Sequence, residues 1–317
     1  MKPAGTTNGR VTLVRRPNQR EPNRVSDKKP EQPAAGNDDG MSLHFWGVRG
    51  SLPAPGPGTV RYGGNTLCVE LRCGPHLLML DGGTGAREFG KHLAASGLPV
   101  DADILLSHTH LDHICGLPFF APMFDPKARL RFWGGHLTPP DGIAKALLRS
   151  WQAPLMPDMD AAFTANLSFQ DFTPGDALTL HPGLRVTTVA LNHPGNAVGY
   201  RIEWRGSNIC YITDTEHPAQ GVDQSLVRFV RGTDMMIYDA SFTDDEYKSC
   251  VGWGHSTWQA AADLADAAGV GQLVLFHHLP DHDDDTMDAI GQAVAVRRPG
   301  SLIAMEGMRL RLVAGGG

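Results

Sequence analysis

Ala102-Asp103-Ile104-Leu105-Leu106-Ser107-His108-Thr109-His110-Leu111-Asp112-His113 is the stretch on which the fold of this 317-residue chain turns. Residues 102–107 form a short, almost continuously apolar run, the pattern of a strand buried on both faces. The next six residues carry three imidazoles and a carboxylate. Alternate residues at a strand's end point the same way, so His108 and His110 can face one metal ion. If the chain then enters a helix, Asp112 and His113 project toward a second position nearby. Nitrogen and carboxylate ligands suit zinc, with manganese or iron as alternatives.

One such cluster cannot close two metal sites, so further ligands are expected at other strand ends. His193 follows LRVTTVAL (184–191) and stands before Pro194-Gly195. Asp214 ends NICYITD (208–214), and His277 ends QLVLFH (272–277). His277 and His278 compete for one role. On a continuing strand the two would point to opposite faces.

Outward from these points the chain reads as further strands in LHFWGV (43–48), TLCVELR (66–72), HLLMLD (76–81), RLRFWG (129–134), VGYRIEW (198–204) and MMIYDA (235–240). Helical stretches are AREFGKHLAAS (86–96), DGIAKALLRSW (141–151), STWQAAADLADAAG (256–269) and DDTMDAIGQAVAV (284–296). Strands come in consecutive runs with helices between some of them. That is an α/β chain of mixed sheets covered by helices, not a strictly alternating parallel fold.

Composition bounds the rest. The chain has 28 Lys+Arg against 34 Asp+Glu, a net charge of −6, and 41% hydrophobic residues. No apolar run approaches the roughly 18 residues of a membrane span. Five cysteines without a CxxC pair argue against a disulfide framework and for a reducing cytoplasm. Residues 1–40 hold eight basic and five acidic residues among Pro, Asn, Gln and Gly, which reads as a disordered tail ahead of a 41–317 domain. Without that tail the domain carries 20 basic and 29 acidic residues, a net of −9. Residues 136–170, with Trp151, Leu155 and Met156 among prolines, read as a lid or a homodimer surface, or equally as a packed loop.

The order His108-Thr109-His110-Leu111-Asp112-His113, then His193, Asp214 and His277, resembles the metallo-β-lactamase superfamily of hydrolases over about residues 43–313. The resemblance implies a four-layer αβ/βα sandwich with two divalent ions at one edge of the packed sheets. His108, His110 and His193 would hold the first ion, and Asp112, His113 and His277 the second. Asp214 would bridge them. His rather than Glu at position 110 favours the hydrolytic dizinc branch over the di-iron redox branch.

Other stretches are similar to the tRNase Z and cyclic-phosphodiesterase branch: Phe45-Trp46-Gly47-Val48-Arg49-Gly50-Ser51, then Tyr62-Gly63-Gly64-Asn65-Thr66. Their glycines would let the backbone approach the metals, and their amides could hold a phosphate. In Asp81-Gly82-Gly83-Thr84-Gly85 the resemblance makes Asp81 the orienting partner of a metal-binding histidine. Tyr238-Asp239-Ala240-Ser241 and Gly254-His255-Ser256-Thr257 resemble the acidic and His-Ser-Thr motifs of tRNase Z-like enzymes. They imply a catalytic pair, Asp239 and His255, in which the imidazolium protonates the leaving oxygen. Asp in place of the usual Glu shortens the reach by one methylene. Ser256 or Thr257 also reads as the N-cap of the following helix.

The expected substrate is therefore a small or cyclic nucleotide-type phosphodiester. An RNA-processing endonuclease of the tRNase Z type is the alternative. The acidic domain and the absence of a long basic, Gly-rich insertion weigh against a long polyanion. A glyoxalase II-type thioester hydrolase needs the same metals but not the Asp239–His255 pair. A metal-dependent scaffold without catalysis would not need the complete ligand set.

Overall fold

The computed structural model describes residues 10–13, 40–137, 140–157, 159 and 161–313. Two sheets face each other. The first has eight strands in the order β1 (Arg10–Leu13), β15 (Arg309–Val313), β2 (Met41–Gly47), β3 (Cys68–Cys73), β4 (His76–Leu80), β5 (Asp101–Leu105), β6 (Arg129–Gly134) and β7 (Asn166–Asp171). The second has seven: β14 (Leu302–Ile303), β13 (Gln272–Phe276), β12 (Met235–Asp239), β11 (Ser207–Ile212), β10 (Ala197–Trp204), β9 (Leu184–Leu191) and β8 (Ala177–His181). Both are mixed sheets. β4 to β7 run parallel, as do β11 to β14, while β2 to β4 and β8 to β11 are antiparallel.

The apolar runs explain the layering. Leu78 and Leu80 of β4 enter the core between the sheets, while Leu77 and Met79 face an outer layer. β13 does the same, with Val274 and Phe276 inward and Leu273 and Leu275 outward. A strand buried on both faces has no polar side, which is why these segments are continuously apolar. Outside the first sheet lie α1 (Gly85–Ala94) and α3 (Ile143–Ser150). Outside the second lie α4 (Gln224–Phe229), α6 (Trp258–Ala268) and α7 (Asp284–Arg297). The four layers are those of the expected αβ/βα sandwich. Single turns, α2 (Leu111–Ile114) and α5 (Asp244–Tyr247), sit in the loops.

The structure corrects or decides three points of the sequence reading. Arg10–Leu13, assigned there to a disordered tail, pair antiparallel with Leu310–Val313 at the sheet's edge. The remainder of residues 1–39 lies outside the described residues. Trp151, in the segment read as a lid or homodimer surface or equally as a packed loop, is fully buried under α3 and packs against Phe132 and Phe163, which favours the packed reading. Large aromatic area at the end of an amphipathic helix is core-forming, so this part of 136–170 is packed; residues 138, 139, 158 and 160 are not described. The strands β7, β8 and β15 were not anticipated. Their NLSFQD, ALTLH and RLRLV sequences are short and interrupted by polar residues.

Candidate metal centre

The parallel strands set the site. β4, β5, β11, β12 and β13 all end at the same edge, and β9 shares their direction because β10 runs antiparallel to both β9 and β11. The residues at or just past these ends are Asp81, His108–His113, Asp214, Asp239, His277 and His193. Carboxyl ends of strands are where α/β sheets place their ligands. Asp81, Asp214 and His277 each have positive φ, at 55°, 52° and 59°. Left-handed backbone is uncommon for such residues and clusters at functional sites. Here it turns the chain sharply enough to aim each side chain back across the edge.

All nine residues singled out from the sequence come together. The ligand atoms of His108, His110 and His193 lie within 4.8 Å of one another, as do those of Asp112, His113, Asp214 and His277. Asp214 stands between the groups. Its Oδ2 is 3.2 Å from His113 Nε2, and its Oδ1 is 3.2 Å from His277 Nε2 and 3.8 Å from both His108 Nε2 and His193 Nε2. Asp112 Oδ2 lies 3.3 Å from His113 Nε2 and 3.5 Å from His277 Nε2. Nδ1 of the exposed His110 is 3.1 Å from Nε2 of His193.

The protein holds four of the imidazoles from behind, through Nδ1. His113 Nδ1 meets Asp81 Oδ2 at 2.9 Å, and His193 Nδ1 meets the Gly254 carbonyl at 2.8 Å. His277 Nδ1 is 2.8 Å from Ser241 Oγ, and His108 Nδ1 is 3.1 Å from Ser107 Oγ. Each Nε2 is thereby left facing the cluster. In His108, His113 and His277 that atom is buried and has no hydrogen-bond partner. A buried, unpartnered imidazole nitrogen is costly unless something binds it. Three of them converging on one carboxylate fit a cation, and this donor set suits zinc-like metals.

Electrostatics agree. Burial opposes charge on Asp214, but His277, His113 and His108 hold its carboxyl well below the usual range. Burial likewise opposes charge on Asp112, and His113 keeps its carboxyl ionised. Burial works against protonation of His113 and His277, yet the Asp214 carboxylate, with Asp112 and Asp81 around the first and Asp239 and Asp112 around the second, raises both well above the ordinary histidine value in the metal-free chain. Burial, joined by the neighbouring imidazoles of His113, His193 and His110, carries His108 the other way, to a neutral ring.

Asp239 and His255 form the adjoining pair. His255 Nδ1 lies 2.9 Å from Asp239 Oδ2, and 3.8 Å from Asp214 Oδ1. Asp239 is fully buried, and its other oxygen accepts from Ser241 N at 3.0 Å and Ser241 Oγ at 2.7 Å. The His255 ring stacks on His277 with centroids 4.7 Å apart. Thr257 caps α6 by accepting from Ala260 N, so the loop that presents His255 is anchored by its own helix.

Several supporting residues escaped the sequence reading. Tyr211, from the facing sheet, donates to Asp81 Oδ2 at 2.8 Å. Ser51 N donates to Asp112 Oδ2 at 2.7 Å. His136 Nε2 meets Thr109 Oγ1 at 2.9 Å. Ser51 and Ser241 lay inside motifs already noted; Tyr211 and His136 carry no local signal. His278 is buried and bonds the Ala304 carbonyl through Nε2, a packing role. The Gly-rich block does bring backbone to the site: a Cβ on Gly50 would stand 2.0 Å from His277 Cε1. Its amides do not form a phosphate cradle, however. Those of Arg49, Gly50, Ser51 and Leu52 already donate to Asn65 O, His278 O, Asp112 Oδ2 and Gly50 O.

Comparison with known proteins follows the same line. The family model described as the beta-lactamase superfamily domain matches residues 77–278. A Ribonuclease Z from Bradyrhizobium sp. (strain ORS 278) is 26% identical over 318 residues, covering 85% of this chain and 99% of the relative. The metallo-beta-lactamase fold protein YhfI from Bacillus subtilis superposes with a TM-score of 0.64 at 21% identity, covering 86% of this chain and all of that one. A diphosphatase from the PhnP family superposes with a TM-score of 0.58 at 18% identity, covering 85% of this chain and 96% of that one. Matched by the family model over more than half its length, with two sheets that deliver a histidine and aspartate cluster to one edge, the chain belongs to the metallo-β-lactamase superfamily of hydrolases.

Proposed function

We propose that the protein is a phosphodiesterase that works with two divalent ions, zinc in the first instance, on a small or cyclic nucleotide-type diester. The observation that carries this reading is the Asp239–His255 pair, 2.9 Å apart and next to the ligand cluster. Hydrolysis of a thioester or a lactam does not need a second acid placed there; expelling an alkoxide from phosphorus does. His108, His110 and His193 would hold one ion, Asp112, His113 and His277 the other, with Asp214 between them. Bound there, the ions would activate a water for attack and neutralise charge on the phosphoryl oxygens.

The chain's own groups then divide the work. Asp239 orients the His255 ring through Nδ1. His255 Nε2 is left to hand a proton to the departing oxygen. Asp81 and Ser241 keep His113 and His277 from rotating. Asp112 is pinned by the Ser51 amide at Oδ2, the oxygen that also faces His113 Nε2 and His277 Nε2.

A second reading, an RNA-processing endonuclease, is favoured by the curated relatives named Ribonuclease Z, which match most of this chain. The net charge of −9 over residues 41–317 weighs against holding a long polyanion. The deciding experiment is turnover by the metal-loaded chain of bis(p-nitrophenyl) phosphate, a cyclic-nucleotide panel, a thioester and a tRNA precursor. Fast turnover of small diesters with an intact precursor supports the first reading. Cleavage of the precursor at low concentration replaces it with the second, and preference for the thioester removes both.

A further inference from the structure

The Asp112–His277 side of the cluster is walled by residues 48–51, a loop held by main-chain bonds to Asn65 and His278 and by one buried side chain. Arg49 is fully buried. Its partners are main-chain carbonyls of two separate loops: Nε donates to Gly63 O at 2.8 Å, and Nη1 donates to Leu279 O at 3.0 Å and His282 O at 2.6 Å. A buried guanidinium is costly, and its planar fork is suited to joining several acceptors at fixed angles. Its backbone bridges Thr66 on one side and His278 on the other. Leu279 and His282 lie just beyond His277 in the chain, so the guanidinium ties the loop before Ser51 to the segment after that ligand.

The two residues after Arg49 touch the ligands themselves. Gly50 donates to His278 O at 3.0 Å and packs so closely on the His277 ring that no Cβ fits. Ser51, at φ 59°, points its amide at Asp112 Oδ2, 2.7 Å away. Nothing comparable links Arg49 to His108, His110 or His193.

We infer that Arg49 is a positioning residue for the Asp112–His113–His277 metal position and not for the His108–His110–His193 position. The inference rests on the two-ion reading proposed above. Without the fork, the 48–51 loop loses its tie to residues 279–282 and keeps only its main-chain bonds to Asn65 and His278, so the Ser51 amide and Gly50 hold Asp112 and the His277 ring less firmly. The carboxylate and the imidazole then become free to turn away from Asp214. Ligand geometry loosened in this way costs roughly 10–100-fold in affinity for the ion.

The test is a cobalt titration of the metal-stripped full chain, followed by the visible absorption of the bound ion and by calorimetry. Wild-type protein should take two equivalents. Arg49→Met should take the first as wild type does and the second at least tenfold more weakly. Arg49→Lys, which keeps a charge but reaches one loop at a time, should fall between them. Two equivalents bound with wild-type affinity in both variants, or equal weakening of both, would overturn the assignment. If Arg49→Met does not fold, Arg49→Lys decides by the same criterion. Failure of both to fold would make Arg49 a core residue and end the proposal. A wild-type chain that takes one ion would remove the two-ion reading, and this inference with it, which is a different result from an unaltered second site in the variants.

Discussion

His255 Nδ1 and Asp239 Oδ2 stand 2.9 Å apart at the ends of different segments of the chain, and the carboxylate is fully buried while the imidazole is not. Burial opposes charge on Asp239, but the imidazoles of His255 and His277 keep its carboxyl below the usual range, so it stays an acceptor. An ionised acceptor fixed by Ser241 orients the ring and leaves Nε2 to face a substrate.

His255→Ala should therefore retain its metal and lose turnover of a diester with a poor leaving group by roughly 10²–10⁴-fold. With p-nitrophenolate as the leaving group, which needs little protonation, the loss should be smaller. Asp239→Ala should follow the same pattern, and the double variant should be little worse than His255→Ala. Equal losses for good and poor leaving groups, or additive losses, would remove the acid role from His255.

Asp214→Ala should lose both ions together, because four imidazole nitrogens approach this one carboxylate. Elemental analysis of the reconstituted variant should find well under one ion per chain, with no turnover. Two retained ions would show that the two groups close independently.

Asp81 accepts four hydrogen bonds, from Ser107 N, Ser107 Oγ, Tyr211 OH and His113 Nδ1. Asp81→Ala leaves buried donors in both sheets without a partner and should cost about 2–4 kcal/mol of stability. Tyr211→Phe removes one bond only and should cost about 1 kcal/mol. Denaturant melts of the metal-free chain measure both; similar losses for the two would mean that Asp81 matters little beyond the tyrosine.

Glu70 supplies a pH signature far from the site. Burial opposes its charge, but the hydrogen bond from His44, the Arg72 charge and the Trp46 indole hold its pKa down at about 2. A carboxyl depressed in the folded state stabilises fully above its unfolded pKa, about 4.3, and loses that contribution as pH falls through about 2. Glu70→Gln should accordingly be less stable than wild type by about 2–3 kcal/mol at pH 7. The gap should close between about pH 4 and pH 2. A gap that stays constant over that range would assign the loss to packing.

Removal of residues 1–39 deletes the four-residue edge strand beside β15 and none of the ligand candidates. Pairing of four residues at a sheet's edge adds little to a core of this size. The shortened chain should keep its turnover of a small diester and melt within a few degrees of the full chain. Loss of the folded state would make β1 a required part of the first sheet.

The sequence by itself determined the candidate ligands and the ends of the strands that carry them. A doubly buried strand must be continuously apolar, and the first polar residue after Leu106, Ile212 or Phe276 marks where it stops; both are local properties. The same holds for His255, whose place ahead of a capped helix is visible in Gly254-His255-Ser256-Thr257. Tertiary structure alone decided what stands behind each ligand. Tyr211 reaches Asp81 from 130 residues away, and Arg49 reaches His282 across 233. His136 and Trp151 both fall within residues 136–170, yet one meets Thr109 at the site and the other fills the core. A four-residue strand such as Arg10–Leu13 becomes visible only when a partner edge exists for it. Composition and period report which side chains must be buried; which of them meet is settled by the packing of two sheets whose contacts are distant in sequence.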